Sequence, residues 1–500
     1  MKPLRRILIV GGGSSGWMTA ALLSRLFQGM YQVTLVESED IGTIGVGEAT
    51  IPAIKKYFDL LGLDENEFIA RTQASFKLGI QFENWWKQGE KYIHGFGVIG
   101  QDWEWLRCHH YWLKAHELGR ADDFATYSIN TAAALENKFI RAQANMGDSP
   151  LSQIGHAFHI DASLFAQFLS GYAQDRGVKR QEGKVVDVAL RGEDGFIQSV
   201  TLADGQVLEA DLFIDCSGFR GLLIEGALKT GFEDWSHWLP CDSALAMPCA
   251  RSENFTPYTR SIAHGSGWQW RIPLQHRTGN GHVYAKDFIS DDEAVAVLRD
   301  NLDGATKADP LQVRFKAGKR RQVWNKNCVA VGLAGGFLEP LESTSLHLVQ
   351  SGIIRLIRLF PDLTFDPANV VEFNRQTDFE YERIRDFIIL HYKATARDDT
   401  PFWDYCRNMD VPDTLQHKID LWMANGRIFR EDEELFAEES WIQVFIGQGM
   451  IPRSYDPQVD LKSETQLVQY LSNIAAVIGK CVQVMPTHAE YVAKTCPALA

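Results

Sequence analysis

Several things are missing from this 500-residue chain, and each absence removes a class of function. No uninterrupted apolar run approaches the 18 or so residues of a membrane-spanning helix, so no membrane partner is expected. Basic residues do not dominate: 50 Lys and Arg against 64 Asp and Glu leave a formal charge of −14, which lacks the basic face a nucleic-acid partner needs. Eight cysteines are scattered without any C-x-x-C or Cys/His pair at metal-ligand spacing, so no structural zinc is expected. Their apolar neighbours, Ile214 and Val329 among them, read as surroundings of reduced buried thiols in a cytoplasmic protein. Repeats and low-complexity tracts are missing too. The opening MKPLRRILIVGGG has only a brief apolar stretch before its glycines, which reads as a first β-strand and not a signal peptide.

What is present begins with that strand. RRILIV leads into Gly11, Gly12, Gly13, Ser15 and Gly16, then a helical pattern through Met18, Ala21, Leu22 and Leu26, then a second apolar strand, Val33 to Val36. The G-x-G-x-x-G spacing permits a tight turn and brings a pyrophosphate to the helix N-terminus, whose amides and dipole favour an anion. Glu37, about 20 residues further on, stands where a carboxylate accepts a ribose hydroxyl. A purely structural glycine turn is the alternative. Only one such fingerprint occurs. The later stretches ADLFIDCSGFRG and CVAVGLAGGF both end strands in glycine and suit a flavoprotein that returns backbone to its cofactor. FAD is therefore expected, with reducing equivalents arriving as FADH2 from a separate flavin reductase.

The alternation through residues 175–215, with Asp-Gly turns at 194–195 and 204–205, predicts a β-meander. Further strands are expected at 283–289 and 327–333. From about residue 346 the pattern is helical, with breaks near Asp398 to Pro401 and Gly447 to Pro457. The fold class expected is α/β: a flavin monooxygenase-like FAD-binding fold, with a Rossmann-type β-α-β unit plus the β-meander. Residues 1–345 form that domain, interleaved with substrate-facing segments at about 75–160. A mostly helical substrate-covering part follows at 346–500.

Eight motifs run in order along the chain: GGGSSGWM, IGVGEATIP, FKLGI, HIDASLFA, DLFIDCSGFRG, GWQWRIP, LEPLEST and DFIILHY. With them the sequence resembles the flavin-dependent tryptophan halogenases over nearly its whole length. That resemblance implies that FADH2 and dioxygen oxidise a halide to hypohalous acid, which travels through an internal tunnel to a lysine beside an aromatic substrate. Lys77 matches the lysine; a surface charge is the bland alternative, and burial would favour the reactive free amine. Glu342 matches a glutamate that polarises the electrophile or accepts the ring proton, although a carboxylate there also suits helix capping. Thr344 and Ser345 match the positions whose backbone amides hold chloride or bromide, with Ser345 standing where many tryptophan enzymes have glycine. By the same resemblance Glu48, Ala49, Val185, Leu333 and Leu346 line FAD beside Ser15 and Glu37. Trp268, Trp270, Ile272 and Pro273 form the family signature, with the two indoles either core or a barrier that keeps organic substrate from the flavin.

His94 and Phe96 match a pair that sandwiches an indole, with ordinary core residues as the alternative. Phe436 and Ser440 stand near a Trp and an Asn of the family. The Tyr-Tyr lid that grips free tryptophan is missing from ANGRIFREDEELFAEESWIQVFIGQG. Indole or an indole derivative is therefore the expected substrate. An aromatic hydroxylase, a halogenase for free tryptophan and a non-catalytic flavin module are the rivals. A homodimer is compatible with the sequence.

Overall fold

The computed structural model describes residues 3–41 and 46–499. Ile44 and Gly45, the start of the I-G-V-G-E-A-T-I-P stretch, lie outside the described residues. Strand β1 (Arg6–Val10), helix α1 (Ser14–Phe27) and strand β2 (Gln32–Glu37) form the β-α-β unit. β1 and β2 pair in parallel and sit inside a six-stranded sheet. Its order is Trp324–Asn325, Cys328–Ala330, Leu212–Asp215, β1, β2, Lys179–Glu182. All its pairings are parallel except that of the edge strand Trp324–Asn325. Near-continuous apolar runs such as Ile7 to Val10 and Leu212 to Ile214 fit strands covered on both faces.

The meander is shorter than expected. Only Val185–Leu190, Ile197–Leu202 and Val207–Glu209 form the three-stranded antiparallel unit. Lys179–Glu182 and Leu212–Asp215 instead join the parallel sheet, because pairing with β2 and β1 buries Leu212 to Ile214. The strand expected at 283–289 is Thr278–Tyr284; its register with Gly267–Pro273 ends at Tyr284, and the chain turns away.

A second sheet of seven strands carries the other half of the core. Its order is Leu311–Arg314, Ser243–Ala246, Thr278–Tyr284, Gly267–Pro273, Thr259–His264, Gly79–Glu83, Lys91–Gly95. The long helix Pro367–Lys393 contributes Ile384, Phe387, Ile388 and Tyr392 to the hydrophobic core of this sheet. A small sheet of Gly47–Ala49, Ala157–Asp161 and Ser75–Lys77 lies in between. Phe76 and Leu78 belong to the first core, whereas Ile80 and Phe82 belong to the second, so the chain passes from one to the other beside Lys77. All eight cysteines are unpaired, seven buried and Cys481 half-buried. No helix among the described residues is long and apolar enough to cross a membrane.

Candidate active site

At the carboxyl ends of β1 and β2 the chain encloses a cavity of about 950 Å³. Gly11, Gly12, Gly13 and Ser15 line it, with Glu37, Glu48, Ala49, Val185, Leu333 and Leu346. Gly16 is not in the lining; it lets α1 approach the turn, because a Cβ there would stand 1.9 Å from the Gly11 carbonyl oxygen. Gly11 has φ +115°, and a Cβ on it would meet the Cys216 carbonyl oxygen at 2.2 Å. Gly13, by contrast, faces open space, where a pyrophosphate fits against the amides at the start of α1. These features fit FAD. Glu37 is already engaged: its carboxylate accepts from Arg180 Nε at 2.5 Å and from the Trp17 indole at 3.3 Å. Burial lifts the Glu48 carboxyl to about 7.

The motif strand Gly267–Pro273 divides its residues between two tasks. Trp270 and Ile272 line the cavity. Trp268 and Pro273 do not: the Trp268 Nε1–H donates to Glu339 at 2.6 Å, and the Pro273 carbonyl accepts from Ser75 Oγ at 2.6 Å. Both tryptophans are thus buried, but only Trp270 stands as a wall toward the cofactor.

The reactive side chains converge around Ser343, which also lines the cavity. Lys77 is fully buried, and its ammonium nitrogen reaches Ser343 Oγ at 2.7 Å and the Thr50 carbonyl at 3.0 Å. Desolvation drives its pKa down to about 7, with the charge of Glu342 working against that fall. Glu342 ends the 3₁₀ turn Pro340–Glu342 and is 1% exposed. Burial alone would raise its carboxyl. Two imidazoles more than offset that and hold it at about 2. His94 Nδ1 lies 3.0 Å from Oε2, and an ionised carboxylate only accepts, so Nδ1 carries the proton. His391 Nε2 approaches Oε1 at 2.8 Å, close to the carboxylate but poorly aligned for a hydrogen bond.

The turn after Glu342 has an unusual backbone. Ser343 takes φ +60°, in the left-handed region, which points its hydroxyl at Lys77. Thr344 then caps the helix Ser345–Arg358; it is fully buried and its Oγ1 has no partner. Ser343 and Ser345 line the cavity, so the unpaired amides of this helix start lie beside it and suit an anion.

His94 and Phe96 lie on either side of Gly95, on the strand Lys91–Gly95 and just past its end. The Lys77 nitrogen is 5.3 Å from the Phe96 ring centroid. Phe436 stacks on Phe387 at 3.9 Å and its ring lies 6.3 Å from that of His94. Ser440 occupies the first turn of the helix Glu438–Gly447 and is half-buried. That helix reaches the site through Gln443, whose amide clamps Gly95 by accepting from its N–H at 2.8 Å and donating to its carbonyl at 3.1 Å. Ser343, Thr50, His391 and Gln443 are contributors the motif reading left without roles. His391 lay within DFIILHY, but nothing local marked it as a partner of Glu342.

A parallel sheet with a glycine turn at its carboxyl edge, a cavity of dinucleotide scale and a buried Lys–Glu site beside it fit a flavin-dependent oxidoreductase. Residues 6–464 match the tryptophan halogenase family model. Tryptophan 7-halogenase RebH of Lentzea aerocolonigenes is 35% identical over 488 residues, covering 91% of each chain. Among solved structures, Xcc4156, a flavin-dependent halogenase from Xanthomonas campestris, is 46% identical, with a TM-score of 0.96 over 100% of both chains. BrvH, a flavin-dependent halogenase from Brevundimonas sp. BAL3, is 46% identical, with a TM-score of 0.95 over 99% of both. The chain belongs to the tryptophan halogenase family and is an FADH2-dependent halogenase.

Proposed function

We propose that this halogenase places chlorine or bromine on indole or an indole-bearing aromatic in preference to free tryptophan, with Lys77 and Glu342 as its catalytic pair. The observation that carries the catalytic reading is the buried Lys77 amine, which sits near neutrality in pKa and is aimed by Ser343 and Thr50. An amine of that kind exists in both protonation states at physiological pH. It can donate to hypohalous acid or attack it as a free base. Glu342, held ionised by His94 and His391, is the acceptor for the proton released when the ring regains aromaticity. FAD, when bound, supplies the oxidation of halide; Thr344 and Ser345 offer the helix-start amides for the anion.

The preference for indole rests on the covering segment between the helices Asp413–Asn425 and Glu438–Gly447. It presents Phe436 on an aromatic wall and carries no Tyr-Tyr pair to hold an amino-acid backbone. The test supplies reductase-regenerated FADH2, oxygen and either halide to the enzyme with indole or tryptophan, and reads products by mass spectrometry. We expect kcat/KM for indole to exceed that for tryptophan by about tenfold or more, the scale of losing one well-made set of polar contacts. Halogenated product should vanish in Lys77→Ala. A faster reaction with tryptophan would overturn the substrate assignment, and a hydroxylated product made without halide would overturn the reaction.

A further inference from the structure

The first glutamate of L-E-P-L-E-S-T has no role in the scheme above, yet it is as deeply buried as the second, at 1% exposure. Its neighbours Leu338 and Pro340 line the flavin cavity, whereas Glu339 does not. Its side chain instead joins an aromatic cluster. Oε2 accepts from Trp268 Nε1 at 2.6 Å and from the Tyr392 hydroxyl at 2.5 Å. Tyr392 OH also lies 3.6 Å from Cys241 Sγ. Oε1 is buried without a partner. A carboxyl under such conditions costs free energy to bury, and burial lifts this one to about 7 despite its two donors.

The two contacts of Glu339 join its turn to two separated parts of the chain. Trp268 belongs to the motif strand Gly267–Pro273, whose Trp270 and Ile272 wall the cavity. Tyr392 is on the helix Pro367–Lys393, directly after His391. That helix therefore grips both glutamates of the turn with consecutive residues, Tyr392 on Glu339 and His391 on Glu342. Pro340 and Leu341 are all that separate the two grips.

We propose that Glu339 is a positioning residue for halogenation, bracing Trp268 and the Glu342 turn against the Pro367–Lys393 helix and so holding Glu342, and the Ser343 that Lys77 bonds, in place beside the flavin cavity. The chemistry needs that placement. A productive turnover consumes FADH2, O2, halide, the aromatic C–H compound and one proton, and yields FAD, the aryl halide and two waters. If the halide is misplaced, the same two electrons reduce O2 to hydrogen peroxide; if hypohalous acid forms but escapes Lys77, the turnover ends in FAD, water and free hypohalous acid, and in neither case does aryl halide form. Loosening the brace should therefore divert turnovers to peroxide or to escaped hypohalous acid while flavin oxidation continues.

The experiment loads the full-length enzyme with FADH2 and measures halogenated indole per flavin oxidised, together with the flavin oxidation rate. Glu339→Gln keeps an acceptor oxygen for both donors, so product per flavin should stay within about twofold of wild type, whereas Glu339→Leu leaves two buried donors unpaired and should lower it about tenfold. Flavin oxidation rates should agree within about twofold across the series, because no cavity-lining side chain changes. Tyr392→Phe removes one donor and should lower product per flavin by about threefold; it carries the test if Glu339→Leu does not fold. Wild-type yields in Glu339→Leu or Tyr392→Phe would overturn the proposal. So would a Glu339→Gln enzyme as impaired as Glu339→Leu.

Discussion

Lys77 is held in a place where its charge is costly, and that cost is measurable. Its folded pKa of about 7 lies below the 10.5 of a free lysine, so the unfolded chain binds the extra proton between those values. Stability from this site is therefore lowest below pH 7 and rises as pH climbs from about 7 to 10.5. Lys77→Met should unfold at a higher temperature than wild type at pH 6.5, by the equivalent of about 1–2 kcal/mol, and the difference should shrink by pH 9. Differential scanning calorimetry across that range decides it. Glu342 runs the other way. Its carboxyl is held at about 2 against an ordinary 4.5, so it stabilises the fold above pH 4.5 and loses that contribution as pH falls toward 2. Glu342→Gln should abolish most product formation and flatten the acid limb of the stability curve over that interval.

At the scale of elements, the strand Lys91–Gly95 is the edge of its sheet, and Gln443 takes the place of a further strand at Gly95. Gln443→Leu leaves the buried N–H and carbonyl of Gly95 unsatisfied. A loss of about 1–3 kcal/mol in urea unfolding is expected, with KM for the aromatic rising more than kcat falls, since His94 and Phe96 flank the clamped residue. A clamp of this kind is invisible in sequence, because nothing in W-I-Q-V-F marks Gln443 as facing a backbone it meets 348 positions away. The glycine turn after β1 is the opposite case. Its spacing encodes close backbone approach, so the need for glycine at Gly11 and Gly16 could be read directly from residue type.

For the molecule as a whole, the cavity is where the two cores meet: Val10 from the first lines it together with Trp270, Ile272 and Val283 from the second. A ligand bound there restrains both. FAD at about 100 times its dissociation constant should stabilise the folded chain by about 2.7 kcal/mol. Thermal unfolding should then shift upward as one transition and not as a split pair. The alternation of apolar strands and helices made the α/β class legible, and period-two runs located the meander. Its outer strands were misplaced because alternation does not say which partner a strand will choose. Motif order placed Lys77 and Glu342, but the pairings that orient them, His391 with Glu342 and Ser343 with Lys77, join residues 49 and 266 positions apart. Local periodicity carries no information about such pairs.

The left-handed backbone of Ser343 has a practical consequence for anyone evolving this enzyme. A non-glycine residue at φ +60° costs about 1 kcal/mol that glycine would not. Selection for heat tolerance alone will nonetheless pass over Ser343→Gly, because it strips the buried Lys77 amine of an acceptor at about 1–3 kcal/mol. A screen for activity will keep Ser343 as well, since its hydroxyl aims the Lys77 amine, so the strained residue should persist under either pressure.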